Sequence, residues 1–190
     1  MRYVADRRMV SDERVTTTTG ITASIPMMLT LIEAIAGRGR AEAIARDLGL
    51  EQWNARHASS AFTLTRPFVT TVLANRMAFW SREELGIRLE PGMDEVSLAL
   101  AADAWSRTYR SSVTIYAAAP RAMESRNGVR LVPDRSWMNW PEDRRVSTFS
   151  DRRASDALDQ TLDAIRARYG ERTTGVVALQ LEYPKRRNIQ

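Results

Sequence analysis

The chain is expected to fold as an α/β layered protein in which helix outweighs strand. Three observations carry this expectation. Short β-branched or alternating segments take turns with longer segments of helical periodicity. The turns between them are marked by Gly, Pro and Asn-Gly. Hydrophobic residues make up 44% and charged residues 27% of 190 residues, a balance that builds one ordinary globular core.

In chain order, Arg2-Tyr3-Val4 and Arg8-Met9-Val10 are short apolar-bearing pieces around a polar Asp6-Arg7 turn. Arg14 to Thr19 is a β-branched run, Val15 followed by four threonines, closed by Gly20 as a strand and its breaker. A helix follows, with Thr22 or Ser24 as cap, Pro26 in its first turn, and Met27, Met28, Leu31, Ile32 and Ile35 at helical spacing. Gly37 and Gly39 stop it. A second helix runs from about Arg40 to Leu48 and ends at Gly49.

Residues 50–66 read as a loop with one helical turn. A helix over about 66–84 starts at Pro67 and carries Val69, Val72, Leu73, Met77 and Trp80 on one side. Leu85 to Glu90 is a short strand closed by Pro91-Gly92. Asp94 to Arg107 is helical, and Val113 to Ala119 alternates like a half-buried strand. Val129 to Val132 is a strand after the tight turn Asn127-Gly128. Trp137 to Phe149 is an irregular loop, and Ser155 to Tyr169 is an amphipathic helix ended by Gly170. Val176 to Tyr183 fits strand or helix, with Pro184 as its stop. A complete doubly wound domain has more buried strands than these. The chain is short of sheet.

Composition excludes much chemistry. There is no cysteine and one histidine, His57. Disulfides, thiolate metal sites and thiol nucleophiles are therefore absent, and no zinc site built from two or three histidines of this chain can exist. No cofactor is expected. No run of apolar residues is long enough to span a membrane, and the charged start, Met1 to Val10, lacks the apolar core of a secretory signal. The expected location is the cytoplasm.

The net charge is +5 and the isoelectric point about 10.2. The cations are arginines except for Lys185, and most stand beside acids, as in Glu142-Asp143-Arg144-Arg145. That pattern is a mixed solvated surface. Only Lys185-Arg186-Arg187 is a net-positive run.

Four constellations have a chemical reading. Thr16 to Ser24 is a strand, a glycine turn and a helix start, where Thr19, Gly20 and Thr22 offer amides and hydroxyls to an anion or small ligand. Hydroxyls capping a helix explain the same residues. Residues 40–59 have the spacing of a helix-turn-helix, with Trp53, Arg56 and His57 on the second helix and Arg40, Arg46 and Arg56 as contacts to DNA. His57 lies close to Ser59 and Ser60, yet no G-x-S-x-G elbow exposes a serine, so a hydrogen-bonded structural histidine is expected. Asp94 and Glu95 follow Pro91-Gly92 at a helix start. They complement its dipole, and the alternative is a ligand contact or a carboxylate-only catalyst.

Two stretches resemble a known family. Tyr3 to Asp6, Val15 to Pro26, Leu29 to Gly37 and Ala41 to Leu48 are similar to the C-terminal part of ThiJ/PfpI proteins, in the class I glutamine-amidotransferase-like superfamily. There a "(V/I)-T-(T/S)-x-G" strand leads into a helix ending near a glycine, then an "A-x-x-x-A" helix. Pro91-Gly92-Met93-Asp94-Glu95, the strand Val113 to Ala117, and Glu124 to Asp134 resemble the opening of the same fold, with its "PG-x-(D/E)-E" turn. The order is that of one domain's end followed by a second domain's beginning.

The resemblance implies three segments. Residues 1–50 correspond to the C-terminal part of one domain, 51–85 to a helical connector or dimerisation segment, and 86–190 to a degenerate N-terminal part of a second. It further implies a partial or rearranged flavodoxin-like sheet flanked by helices, in a piece of a longer regulator-like protein. The family's chemistry depends on an elbow cysteine, which is missing, and the supporting glutamate aligns with Ser97. The expectation is thus a non-catalytic module that senses a small-molecule ligand or self-associates as a homo-oligomer. The alternative is a DNA-binding protein using residues 40–59.

Overall fold

A computed structural model describes residues 4–12, 15–50, 52–136, 139–147 and 153–183. The expectations on Arg2, Tyr3, Arg14, Trp137, Phe149, Pro184 and the run Lys185 to Arg187 fall outside these.

The first segment is an antiparallel hairpin. β1 (Met9–Asp12) pairs with β2 (Val15–Thr18), Met9 opposite Thr18 and Asp12 opposite Val15. A 3-10 turn at Ile21–Ala23 leads into α1 (Ser24–Ala36), whose N-cap is Ala23 with no side-chain bond. Thr22 and Ser24 therefore do not cap it. The Thr22 hydroxyl is taken by another partner and donates to the Leu181 carbonyl at 2.7 Å. α2 (Arg38–Asp47) packs back on α1, burying Leu29, Ala41 and Ala45.

The helix-turn-helix expectation is overturned here. After α2 the Leu50 amide turns back to the Ala45 carbonyl (2.8 Å), and residues 52–58 form no helix. Their backbone groups are committed to the N-terminal segment instead. The Arg8 amide donates to the Ala55 carbonyl (2.9 Å), the His57 amide to the Asp6 carbonyl (3.1 Å), and Arg7 bridges Arg56. A backbone paired this way cannot make helical i→i−4 bonds. Trp53, Arg56 and His57 thus lie on an extended loop, followed by a 3-10 turn at Ser59–Phe62.

α3 (Arg66–Met77) starts where Thr65 accepts from the Phe68 amide, as its Pro67 suggests, but ends seven residues before Glu84. Its packed side is not the expected one. Asn75 is buried, donating to the Thr108 carbonyl (2.9 Å) and the Thr173 hydroxyl (3.1 Å), while Val69, Leu73 and Met77 are exposed, with Trp80 beyond them. A polar anchor decides which way this helix faces.

β3 (Glu83–Arg88), α4 (Glu95–Ser106) and β4 (Ser111–Ala117) form a β-α-β unit, with Leu85 opposite Val113 and Ile87 opposite Ile115. β5 (Met123–Glu124) and β6 (Arg130–Leu131) make a small hairpin around Asn127-Gly128. β7 (Arg135–Ser136) joins β4 and β8 (Arg145–Val146) joins β3, giving a parallel sheet of order β7-β4-β3-β8. The two outer strands are only two residues long. The fold is α/β and helix-rich, consistent with a reduced flavodoxin-like sheet, as expected.

α5 (Ala154–Gln180) is broken at Gly170, whose φ of 82° places it in the left-handed region that favours glycine. Its second arm settles residues 176–180 as helix. Leu85 and Ile87 bury against Ala101, Trp105, Leu158, Ile165, Val177 and Leu181 from α4 and α5 and the residue just beyond. Each such fully buried aliphatic side chain contributes about 1.5–3 kcal/mol.

The alternate residues of the sheet form its other face: Glu84, Gly86 and Arg88 on β3, Ser112, Thr114 and Tyr116 on β4, Arg135 on β7 and Arg145 on β8. Parallel sheets are ordinarily covered by apolar layers on both sides. Here the second side is polar. Trp140 lies over Gly86 and stacks on Tyr116 at 5.1 Å between ring centroids.

Candidate functional site

The start of α1, where the sequence places Thr19, Gly20 and Thr22, is covered by the chain itself. A Cβ on Gly20 would lie 2.8 Å from Cβ and Cγ of Glu182, so only glycine leaves room for that side chain. Glu182 adopts a left-handed φ of 51° and reaches His57, its Oε2 3.1 Å from Nε2. The imidazole side chain is 6% exposed and stacks parallel on Phe62 at 5.0 Å. Thr19 is exposed, and its amide donates to the Arg8 carbonyl (2.9 Å). The carboxylate that covers this helix start, Glu182, thus belongs to the chain itself.

An imidazole held by a carboxylate is two-thirds of a nucleophilic relay. The nearest serine in sequence does not complete it: the Ser59 hydroxyl accepts from the Asp6 amide (3.1 Å), and the Ser59 amide donates to Asp6 Oδ1 (3.0 Å). His57 is buried between the Phe62 ring and the Glu182 carboxylate, and no serine among the described residues is bonded to its ring.

Asp94 and Glu95 stand elsewhere, at the start of α4. Asp94 is 5% exposed and caps the helix, accepting from the Ser97 amide at 2.6 Å. Glu95 Oε1 accepts from Asn127 Nδ2 at 2.9 Å, tying α4 to the β5–β6 turn. Burial pushes the Glu95 carboxyl up, but bonds from its own amide, the Asn127 side chain, Ser125 and the Asn127 amide outweigh it, and the result lies below the ordinary glutamate value. Ser97 Oγ and Glu95 Oε2 are buried with no hydrogen-bond partner among the described residues. No hydrogen bond or ion pair among the described residues joins these acids to Thr19, Gly20 or Thr22.

Arg40, Arg46 and Arg56 are exposed but do not share a helix face aimed at one groove, since Arg56 is on the extended loop. Beside Arg46, Arg38 pairs with Glu42 (2.8 Å) and lies over the Trp53 ring at 5.6 Å. This is a mixed surface rather than a basic stripe.

A different place has the geometry of a ligand seat. The chain steps from β3 to β4 and β7 on one side, then crosses to β8 on the other side of β3. β3 and β8 are thus the neighbouring strands at which the strand order reverses, and open parallel sheets take ligands outside the carboxyl ends of their strands at such a point. A hollow of about 470 Å³ lies there, lined by Arg88, Glu90, Tyr116, Asn139, Glu142, Arg145, Val146 and Ser147. Its size suits a small metabolite.

Within it the Arg145 Nε donates to the Trp140 carbonyl at 2.7 Å, which fixes the plane of its guanidinium. Arg145 stands 3.9 Å from Glu142, and Arg88 stands 3.7 Å from Glu90, both beyond hydrogen-bond length. These residues carry no sequence motif. The signal that would have found them is the period-2 polar set Glu84, Gly86, Arg88 and Ser112, Thr114, Tyr116, read once the strands begin two residues earlier than the apolar runs suggest.

No group of three or more His, Cys, Asp or Glu suited to a metal ion occurs among the described residues. No protein-family model, curated protein or solved structure matches the chain.

Proposed function

We propose that the chain is a non-catalytic ThiJ/PfpI-like module of a regulator-like protein, acting in the cytoplasm by binding a small molecule and by self-association. The observation that carries the reading is the switch-point crevice on a parallel β-α-β unit. That is the place where folds of this kind hold ligands, and here it is lined by arginine, glutamate, asparagine and serine with no cysteine or histidine. The stretch that resembles the family's opening half, residues 91–134, follows β3 and contains β4, whose Tyr116 lines this crevice.

The absence of cysteine removes the family's nucleophile, and His57 is engaged with Glu182 away from the crevice residues. Binding without turnover is what remains. No helix is long and apolar enough to cross a membrane among the described residues.

The self-association half rests on α3. Val69, Leu73 and Met77 recur at i, i+4 and i+8 on its outer side, with Phe79 and Trp80 beyond it, all between 47% and 76% exposed. Contiguous apolar surface of this kind marks an interaction face.

The test is an assay of the purified chain for amidase, protease, glyoxalase and deglycase turnover, beside hydrogen exchange with and without a pool of small metabolites. The expected outcome is no turnover, with slowed exchange around Arg88 and Arg145. Turnover that survives repurification overturns the reading.

A further inference from the structure

We propose that the switch-point crevice is an oxyanion site in which Arg88 and Arg145 together grip a carboxylate or phosphate group of a small ligand. This rests on the binding-module reading above and names the ligand class.

Register places both arginines on one side of the sheet. Arg145 is opposite Gly86, and Arg88 is two residues along the same strand, hence on the same face. Nothing projects between them from Gly86, and the Trp140 ring lies in the space a side chain there would fill. Tyr116 lines the crevice and is held in place by its stack on the Trp140 ring, each being 4% exposed.

Arg145 is preoriented: its Nε is spent on the Trp140 carbonyl, which leaves its terminal nitrogens for a ligand. Neither guanidinium has a carboxylate at hydrogen-bond distance within the crevice. The side chains of Glu142 and Glu90 are 91% and 47% exposed, and both carboxylates sit at 3.7–3.9 Å, so they leave for water without breaking a hydrogen bond. A planar oxyanion, by contrast, gains paired charge-assisted bonds from a guanidinium fork.

The reverse polarity is disfavoured by the same numbers. A cation would need the two glutamates to converge, and Glu142 is almost wholly in solvent. Ser147 and Asn139 supply hydroxyl and amide groups to fix the remainder of the ligand.

The experiment is calorimetric titration of the full chain with inorganic phosphate and, separately, with succinate, at low and at high salt. It compares the unaltered chain with Arg88→Gln, Arg145→Gln, Arg145→Lys and, as an exposed control outside the crevice, Arg172→Gln. We expect saturable binding of at least one anion, weakened by salt. Each Gln substitution weakens it about tenfold or more, and Arg172→Gln leaves it unchanged. Arg145→Lys falls between, because the charge stays and the fork is lost.

Stronger binding of phosphate or of succinate assigns the group as phosphate or carboxylate, and both outcomes support the proposal. No saturable binding of either anion overturns it, as does equal binding by Arg88→Gln and the control. Arg88→Gln guards against misfolding of Arg145→Gln, since the Arg88 side chain makes no hydrogen bond to the backbone among the described residues. Protection of the crevice by a neutral sugar with no response to either anion overturns the oxyanion class while the binding-module reading stands. Turnover of a substrate overturns that reading and leaves the anion grip intact.

Discussion

Trp140 lies on Gly86 so closely that a methyl group at position 86 would stand 2.5 Å from Cδ2 and 2.6 Å from Cγ and Cε2 of the indole. The contact covers part of the polar side of the sheet, opposite the side where α4 and α5 contribute to the core. It also joins a loop residue to the central strand β3.

Gly86→Ala is therefore expected to destabilise the protein by about 1–3 kcal/mol, the usual cost of overpacking a filled site. The indole must move, and its stack on Tyr116 opens. Urea unfolding gives the stability, and near-ultraviolet circular dichroism reports the indole. A change under about 0.5 kcal/mol would mean that Trp140 is not seated on the strand.

Asn75 is the polar anchor of α3, bonded to the Thr108 carbonyl and to the Thr173 hydroxyl and 6% exposed. Asn75→Ala should cost about 1–3 kcal/mol, because a buried acceptor loses its donor. Leu73→Ala, at 54% exposure on the other side of the same helix, should cost far less. Equal losses at the two positions would show that α3 is turned the other way.

Glu95 gives a pH dependence with a defined sign. Its carboxyl titrates below the ordinary glutamate value when folded, through its bonds to backbone and to Asn127 and Ser125, despite burial. A depressed acid adds stability above its unfolded value and loses it as pH falls through the folded value. Acid unfolding should thus steepen below the ordinary glutamate range, and Glu95→Gln should flatten that part of the curve. Parallel curves for the two proteins would contradict the assignment.

The outer face of α3 predicts concentration-dependent self-association. Sedimentation of the unaltered chain at micromolar concentration should show dimer or higher species, and Leu73→Lys with Met77→Lys should give monomer at nearly unchanged thermal stability. Both side chains are more than half exposed, so the folded monomer loses little packing. A chain that is monomeric throughout would refute this use of the face.

Periodicity exposed the elements whose length exceeds one turn. The helix at Asp94 to Arg107 and the alternating strand near Val113 match α4 and β4 within two residues, because each has one apolar side against one core. β7 and β8 have two residues each, too few for any period, and with them the sheet order and the crevice were unreadable. The orientation of α3 was unreadable for another reason. Its apolar stripe is real, but two buried hydrogen bonds from Asn75 set its orientation, and no pattern of hydrophobic residues registers them. The contact of Glu182 with His57 joins residues far apart in sequence, so local spacing could not show it. Gly20 read as a strand breaker, while its contact with Glu182 is what the structure requires of it.

Thr22 bonds to Leu181 across 159 positions of sequence, and His57 meets Glu182 beside it. Such distant closure makes loop entropy a late and slow part of folding. During synthesis the hairpin and the α1–α2 pair emerge long before Leu181 and Glu182, the residues that clasp them. The clasp sites at Thr22 and His57 therefore stay open until the end of α5 is in place, so the hairpin side of the molecule is latched last.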